Sequence, residues 1–392
     1  MTKLTLQDMP LAGQRVLTRV DFNVPMDDKG NITDDTRIRA TLPTLNYILD
    51  NKGKVVLITH LGRPKGWDEK LKLDKIAVRL SELLKRPVKK MDDSIGLLVE
   101  KTVSNLKEGD VVLLENLRFY PEEEANNDKF SKKLALLGDL YINDAFACSH
   151  RAHASIVGVA KYLKAGAGLL LAREIEYLDK LTESPATPYV AILGGAKVSD
   201  KITVIQNLLN KVNTILIGGG MAYTFIKAQG NTIGSSKLDK DHIDTASKIL
   251  TNAKKKNVEI VLPTDHLVTD NVHGKGRIKI EKTNISDGFS GVDIGPETIK
   301  LFTSKLLPAQ TIIWNGPVGI FENDKFSEGT RSIAMTLAGL KSTRVIGGGE
   351  TVAAAEKFKV ADKMSHISTG GGAFLEFMEG KELPGIAALT NK

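Results

Sequence analysis

The stretch Tyr189-Val190-Ala191-Ile192-Leu193-Gly194-Gly195-Ala196-Lys197-Val198-Ser199-Asp200-Lys201-Ile202 decides the fold. Its first five residues are apolar without alternation, which reads as a strand covered on both faces, as in a parallel sheet. The glycine pair breaks the run. Beyond it Ile202, Ile205, Leu209 and Val212 share one helical face, while Asp200, Lys201, Asn207 and Asn210 lie mostly off it. Strand, glycine loop and amphipathic helix form the repeating unit of a doubly wound α/β sheet.

The same pattern recurs along the chain. Apolar runs fall at Arg15–Phe22, Lys54–Thr59, Val111–Leu114 and Leu140–Ile142, then at Thr214–Ile217, Glu259–Leu262, Thr311–Trp314, Arg344–Ile346 and Ser365–Ile367. Between the two groups lies a Leu-rich stretch with a charged face, stopped by Pro185 and Pro188. It lacks the Gly/Ser composition of a flexible linker and reads as a connecting helix. The predicted architecture is α/β: two Rossmann-like three-layer α/β/α domains with parallel sheets, at 1–168 and 185–378. A helix at 169–184 joins them and a cleft separates them.

Composition narrows the function. The 392 residues carry 54 Lys+Arg against 47 Asp+Glu, a net charge of +7 that leaves nucleic acid open. Residues 1–170 hold 27 basic and 23 acidic side chains, so the excess is spread over both halves rather than gathered in an arm. Only 5% of residues are aromatic, little for stacking on bases. Cys148 is the only cysteine, which forbids an internal disulfide and a Cys-rich zinc site. It sits in an apolar run and reads as a small buried residue. The N-terminus meets charge before an apolar signal region could form, and the longest uncharged runs are broken by Pro or Gly. A cytoplasmic protein with no membrane and no nucleic-acid partner is expected.

In open parallel sheets, ligands bind beyond the carboxyl ends of the strands. In the first half those ends are polar and basic. Arg15–Val20 leads to Asp21-Phe22-Asn23, Lys54–Thr59 to His60-Leu61-Gly62-Arg63, Val111–Leu114 to Arg118, and Leu140–Ile142 to Arg151, while Arg37 follows a turn-rich loop. Any one of these arginines is as readily a surface ion pair. Their recurrence at one topological position points to a small polyanion, because the guanidinium fork suits phosphate and carboxylate.

In the second half the strand ends are glycine-rich: Gly194-Gly195, Gly218-Gly219-Gly220, Gly347-Gly348-Gly349-Glu350-Thr351 and Gly370-Gly371-Gly372. Glycine admits close approach of backbone amides to an oxyanion, and a following helix N-terminus adds free N–H groups. One such turn is ordinary tight geometry; four favour a nucleotide or polyphosphate. Lys197 and Lys201 are read as one helical turn apart, both within reach of a phosphate chain. No Walker-type phosphate loop and no dinucleotide fingerprint occurs. One half prepared for a small anion and the other for a nucleotide suggest phosphoryl transfer, which needs positioning, charge neutralisation and exclusion of water.

The chain resembles the phosphoglycerate kinase family along essentially its whole length. The resemblance rests on Arg19–Pro25, Thr59–Pro64, Leu113–Phe119, Asn143–Phe146, His150–His153, Gly194–Ile202, Trp314–Glu322 and Thr369–Phe374. It implies reversible phosphoryl transfer from 1,3-bisphosphoglycerate to MgADP, giving 3-phosphoglycerate and MgATP. It further implies that Asp21, Phe22 and Asn23 hold the glycerate end, with His60, Leu61, Gly62, Arg63, Arg118 and Arg151 around the 3-phosphate. Arg37 would reach the carboxyl and the transferring group, Lys197 the same group from the nucleotide side, and Lys201 the nucleotide phosphates. Gly194 and Gly195 would pack by the adenine, and Glu322 would bind the ribose. Gly219, Asn315, Gly348, Gly349 and Thr351 would complete the nucleotide site, while amides of Gly371 and Gly372 would neutralise the transition state. Glu350 stands where the family usually has Asp, in the loop that contacts the nucleotide's Mg2+. The family also implies a monomer and a C-terminal segment, 379–392, that returns to the first domain. A nicotinamide-dependent dehydrogenase is the enzymatic alternative, and a two-domain solute-binding protein the non-enzymatic one.

Overall fold

All the apolar runs named above lie in two parallel six-stranded sheets. The computed structural model describes residues 3–273 and 275–392. The chain divides into two units: one runs to Glu176 and takes in Glu382–Lys392, the other is Tyr177–Lys381.

The first unit contains β1 (Arg15–Arg19), α1 (Thr36–Asp50), β2 (Lys54–Ile58), α2 (Asp74–Leu84), β3 (Lys89–Lys90), α3 (Leu97–Ser104), β4 (Val111–Leu113), α4 (Pro121–Glu124), α5 (Asp128–Ala135), β5 (Leu140–Asn143) and β6 (Lys164–Ala167). The strand order is β3-β4-β2-β1-β5-β6, every pairing parallel. Val16 sits opposite both Val55 and Leu140, and all three are buried. Strands apolar on both faces stay in register because both faces are covered. The edge strands β3 and β6 went unread: a Lys pair and Lys-Ala-Gly-Ala carry no apolar run.

The connecting helix α6 (Leu169–Thr182) forms, and the division between units falls inside it. Its first amides are met by Asp144, whose buried Oδ1 accepts from Leu170 N at 2.9 Å and Leu171 N at 3.2 Å. Thr44 Oγ1 accepts from Leu169 N at 2.9 Å. A side chain from the end of β5 thus starts α6. Near the C-terminus, Leu4 N donates to the Thr390 carbonyl at 2.8 Å, and Gly385 N to the Ser149 carbonyl at 2.8 Å.

The second unit contains β7 (Tyr189–Leu193), α7 (Ile202–Leu208), β8 (Thr214–Ile217), α8 (Ala222–Ala228), α9 (Ile243–Lys255), β9 (Glu259–Val261), β10 (Asp265–Thr269), β11 (Ile278–Lys282), β12 (Ser290–Ile294), α10 (Pro296–Leu306), β13 (Thr311–Asn315), α11 (Glu328–Gly339), β14 (Thr343–Ile346), α12 (Gly349–Lys357), β15 (His366–Ile367) and α13 (Gly371–Met378). Its parallel order is β15-β14-β13-β7-β8-β9. Trp314 is fully buried there, its indole N–H donating to the Gly316 carbonyl at 2.8 Å. The helix after the glycine pair is shorter than its periodicity suggested, and Val204 and Leu208 join Ile205, Leu209 and Val212 in burial. Lys197 and Lys201 are therefore not a helical turn apart. They lie on the turn before α7, closed by Lys201 N donating to the Val198 carbonyl at 2.8 Å. An antiparallel sheet, β11-β10-β12, was also not anticipated. Val268 of β10 and Ile285 of the β11–β12 loop pack against Tyr223 and Ile226 of α8.

Candidate functional site

In the first unit the carboxyl ends of β4, β2, β1 and β5 are neighbours, so the residues that follow them converge. Arg37, on the first turn of α1, donates from Nη1 to Asp21 Oδ2 at 2.6 Å; Asp21 is nearly buried and Arg37 is 42% exposed. Asn23 Oδ1 accepts from Gly62 N at 2.8 Å, tying the loop after β1 to the loop after β2. Asn116 Oδ1 accepts from Leu61 N and Arg118 N, both at 3.1 Å, which fixes the loop after β4. The side chain of Arg118 is buried and pairs with Glu124. Arg151 Nε donates to His150 Nε2 at 3.2 Å, and Arg63 is exposed.

His60 lies at the middle of this group, buried to 5% exposure. Burial, then the charges of Arg19, Arg118, Arg151 and Arg37, push its pKa down to about 2, so the ring is neutral at physiological pH. His153 is held down to about 3 by burial and overlapping arginine charges. The structure thus brings together Asp21, Arg37, His60, Arg118 and Arg151. Phe22 and Leu61 lie between these residues in the chain. Both side chains belong to the core, and their amides are committed to Thr59 Oγ1 at 3.0 Å and Asn116 at 3.1 Å. They shape the loops. Arg19, which the pattern beyond the strand ends does not single out, is buried beneath the group as the last residue of β1. Cys148 is buried as read, its thiol pKa raised to about 11 by desolvation.

In the second unit two cavities adjoin the carboxyl ends of β7, β8, β13 and β14. The smaller, about 270 Å³, is lined by Gly194, Gly195, Lys197, Asp200, Lys201, Asn315, Gly348, Gly349, Glu350 and Thr351, among others. Its loops interlock. A Cβ on Gly194 would overlap the Pro317 carbonyl, and Gly219, at φ +66°, lies against the Gly195 backbone. Lys201 donates to Asn315 Oδ1, and Asn315 Nδ2 donates to the Gly347 carbonyl at 2.7 Å. Burial lowers the Lys201 pKa, opposed by Asp200, Glu350 and Glu379. Thr351 Oγ1 accepts from Gly316 N at 2.7 Å. Asn315 and Thr351 are buried, so they brace the lysine and the loops. Lys197 and Glu350 are exposed, as is Gly372, which follows Gly371 at the start of α13.

The larger cavity, about 560 Å³, is more apolar, with Ala196, Val272, Val292, Pro317, Val318 and Ile320 in its walls and Glu322 and Glu350 at its edge. It also holds residues that strand-end reasoning missed. Tyr223 is buried, with a hydroxyl that bonds to no described residue, and a Cβ on Gly291 would overlap that hydroxyl. Lys237 lies in the loops before α9. The only signal for these was the three-stranded sheet, which the sequence did not show.

Fixed cations gathered on one sheet edge and amides with lysines around a paired cavity on another are what phosphotransferases use. The sequence model of the phosphoglycerate kinase family matches residues 6–381. The chain is 54% identical over 398 residues to a phosphoglycerate kinase of Dictyoglomus turgidum, covering 100% of this chain and 99% of that one. It is 53% identical over 390 residues to the cytosolic phosphoglycerate kinase 3 of Arabidopsis thaliana, covering 98% and 97%. Among solved structures, phosphoglycerate kinase from Coxiella burnetii superposes with a TM-score of 0.92 at 40% identity, and that from Pyrococcus horikoshii with 0.83 at 34%, each over 98% of both chains. The chain belongs to the phosphoglycerate kinase family, kinases that act on ATP or ADP and phosphoglycerate in glycolysis. The dehydrogenase and solute-binding alternatives fall with that finding.

Proposed function

We propose that the arginine-lined edge of the first unit holds 1,3-bisphosphoglycerate or 3-phosphoglycerate and that the paired cavities of the second hold MgADP or MgATP. The observation that carries this reading is the convergence of Arg37, Arg118 and Arg151 on a neutral His60 beside Asp21. A polyanion satisfies that many fixed donors, and Asp21 and Asn23 offer acceptors to its hydroxyl.

In the ATP-forming direction an oxygen of the ADP β-phosphate attacks the phosphorus of the acyl phosphate. The bond from that phosphorus to the carboxyl oxygen breaks, and the carboxylate leaves; no proton is exchanged. Charge neutralisation is then the main catalytic task. Arg37 swings from Asp21 to the carboxyl and the transferring group, and Lys197 meets that group from the nucleotide side. Lys201, braced by Asn315, holds the nucleotide phosphates, and the amides of Gly371 and Gly372 face the charge that develops. The larger cavity takes the nucleoside, with Gly194 and Gly195 beside the base and Glu322 at the ribose. The reactants must meet with water excluded, so closure of the chain over them belongs to the cycle.

Magnesium fits the donor set of the smaller cavity, where Glu350 and Asp200 are exposed carboxylates beside the glycine loops. Glu350 and Asp200 would hold the ion together with the nucleotide phosphates, and when bound it would supply neutralisation of phosphate charge. Glu350→Gln is expected to raise the magnesium concentration needed for half-maximal rate; an unchanged requirement removes Glu350 from this role. Action in the cytoplasm, supported by the similarity to cytosolic relatives, and action as a monomer are both part of the proposal. ADP release from MgATP is the direct assay. It is expected to depend on added 3-phosphoglycerate, and acceptor-independent release contradicts the reading.

A further inference from the structure

Behind His60 lies a buried cation that the proposed reaction leaves without a task. Arg19 is fully buried, and each arm of its guanidinium is placed. Nε donates to Ser155 Oγ at 2.9 Å and Nη1 to the Val20 carbonyl, while Nη2 faces His60 Nδ1 at 3.2 Å and Cys148 Sγ at 3.7 Å. A guanidinium offers donors only and stays charged. At 3.2 Å from it, His60 Nδ1 must be the acceptor, which places the ring proton on Nε2. His60 Nε2 bonds to no described residue and is not sealed from solvent.

We propose that Arg19 is a positioning residue that fixes His60 as the neutral Nε2–H tautomer, so that the imidazole presents a permanent N–H donor to the phosphoglycerate phosphate. The inference rests on His60 belonging to the substrate site proposed above. An imidazole free to choose its tautomer would spend part of its time with an Nε2 lone pair against phosphate oxygens, which repels them.

The surroundings agree from every side. On the loop after β1, Asp21 lies 4.0 Å from Nδ1, farther than the guanidinium, and is engaged by Arg37 at 2.6 Å. Arg118 and Arg151, from the loops after β4 and β5, add positive charge that opposes protonation of the ring, and Cys148 is a neutral thiol. Arg19 is itself balanced from behind. Ser155 Oγ and Ser155 N, the latter at 2.9 Å, donate to the two carboxylate oxygens of the fully buried Glu123. The line Glu123, Ser155, Arg19, His60 thus ends on one N–H group. Asp21, His60 and Cys148 have ligand atoms within 4.8 Å of one another, but His60 Nδ1 and Cys148 Sγ already face the Arg19 guanidinium and Asp21 is paired with Arg37.

The test is a long-range proton–nitrogen NMR correlation of 15N-histidine-labelled enzyme without substrate, with His60 assigned by the signals lost in His60→Gln. Nδ1 is expected to be unprotonated and Nε2 protonated throughout about pH 5 to 8. An Nδ1–H tautomer, or a titration inside that window, overturns the proposal. Because no substrate is present, this outcome is independent of whether the enzyme turns over 3-phosphoglycerate. In Arg19→Met/Glu123→Gln, which removes both buried charges together, burial and the remaining arginines still keep His60 neutral, but the ring is expected to populate the Nδ1–H tautomer as well. The KM for 3-phosphoglycerate is expected to rise roughly tenfold, with the KM for ATP unchanged. Arg19→Lys, which keeps a donor, should restore the fixed tautomer. A variant that folds while His60 stays locked as Nε2–H also overturns it.

Discussion

Arg37 rests on Asp21 at 2.6 Å yet keeps 42% of its side chain exposed, the state of a group held ready rather than locked. In the proposed reaction its charge matters most as the phosphoryl group transfers, so Arg37→Ala is expected to lower kcat by roughly 10³-fold, with a smaller change in the KM for 3-phosphoglycerate. Steady-state kinetics distinguishes this from a pure binding role, in which turnover survives and only KM rises. His60, Arg118 and Arg151 were legible because each follows an apolar run, where a parallel sheet delivers its ligands, and Arg37 because it follows the turn-rich loop beyond the first of them. Arg19 was not, because it lies inside such a run and its role comes from neighbours distant in sequence, Ser155 and His60. Phe22 and Leu61 sit between the candidate site residues in the chain, and their side chains turn into the core.

At the scale of elements, continuous apolar runs made the two parallel sheets readable. The antiparallel sheet escaped because β11 is largely exposed and charged, while β10 mixes Asp265 and His266 with apolar residues. His266 is fully buried, both ring nitrogens lack partners, and its ring lies 5.4 Å from that of Tyr223. Desolvation lowers its pKa to about 4, against nearby Asp265 and Glu281. The unfolded chain takes up this proton near pH 6.5, the folded chain only near 4. The neutral buried ring therefore supports the fold above about pH 6.5 and loses that support as pH falls through the folded value. His266→Phe removes both the unpartnered nitrogens and this acid sensitivity. A gain of about 1 kcal/mol in urea unfolding at neutral pH is expected, growing as the solution is acidified. A gain that shrinks in acid contradicts the assignment.

For the whole molecule, a net charge of +7 says little until it is placed. The informative cations are a handful at the carboxyl ends of the first unit's strands and two lysines beside the second unit's glycine loops. Each unit has its own parallel sheet, and with one proposed site on each, a chain of 392 residues has a chemical reason for being built twice. The proposed phosphoryl acceptor is a carboxylate, so the product formed from ATP is an acyl phosphate. Hydroxylamine trapping tests it directly. With MgATP, 3-phosphoglycerate and hydroxylamine, the account requires one hydroxamate for each ADP formed. ADP accumulating with a phosphate product that resists hydroxylamine would place the phosphoryl group on a hydroxyl and contradict the account.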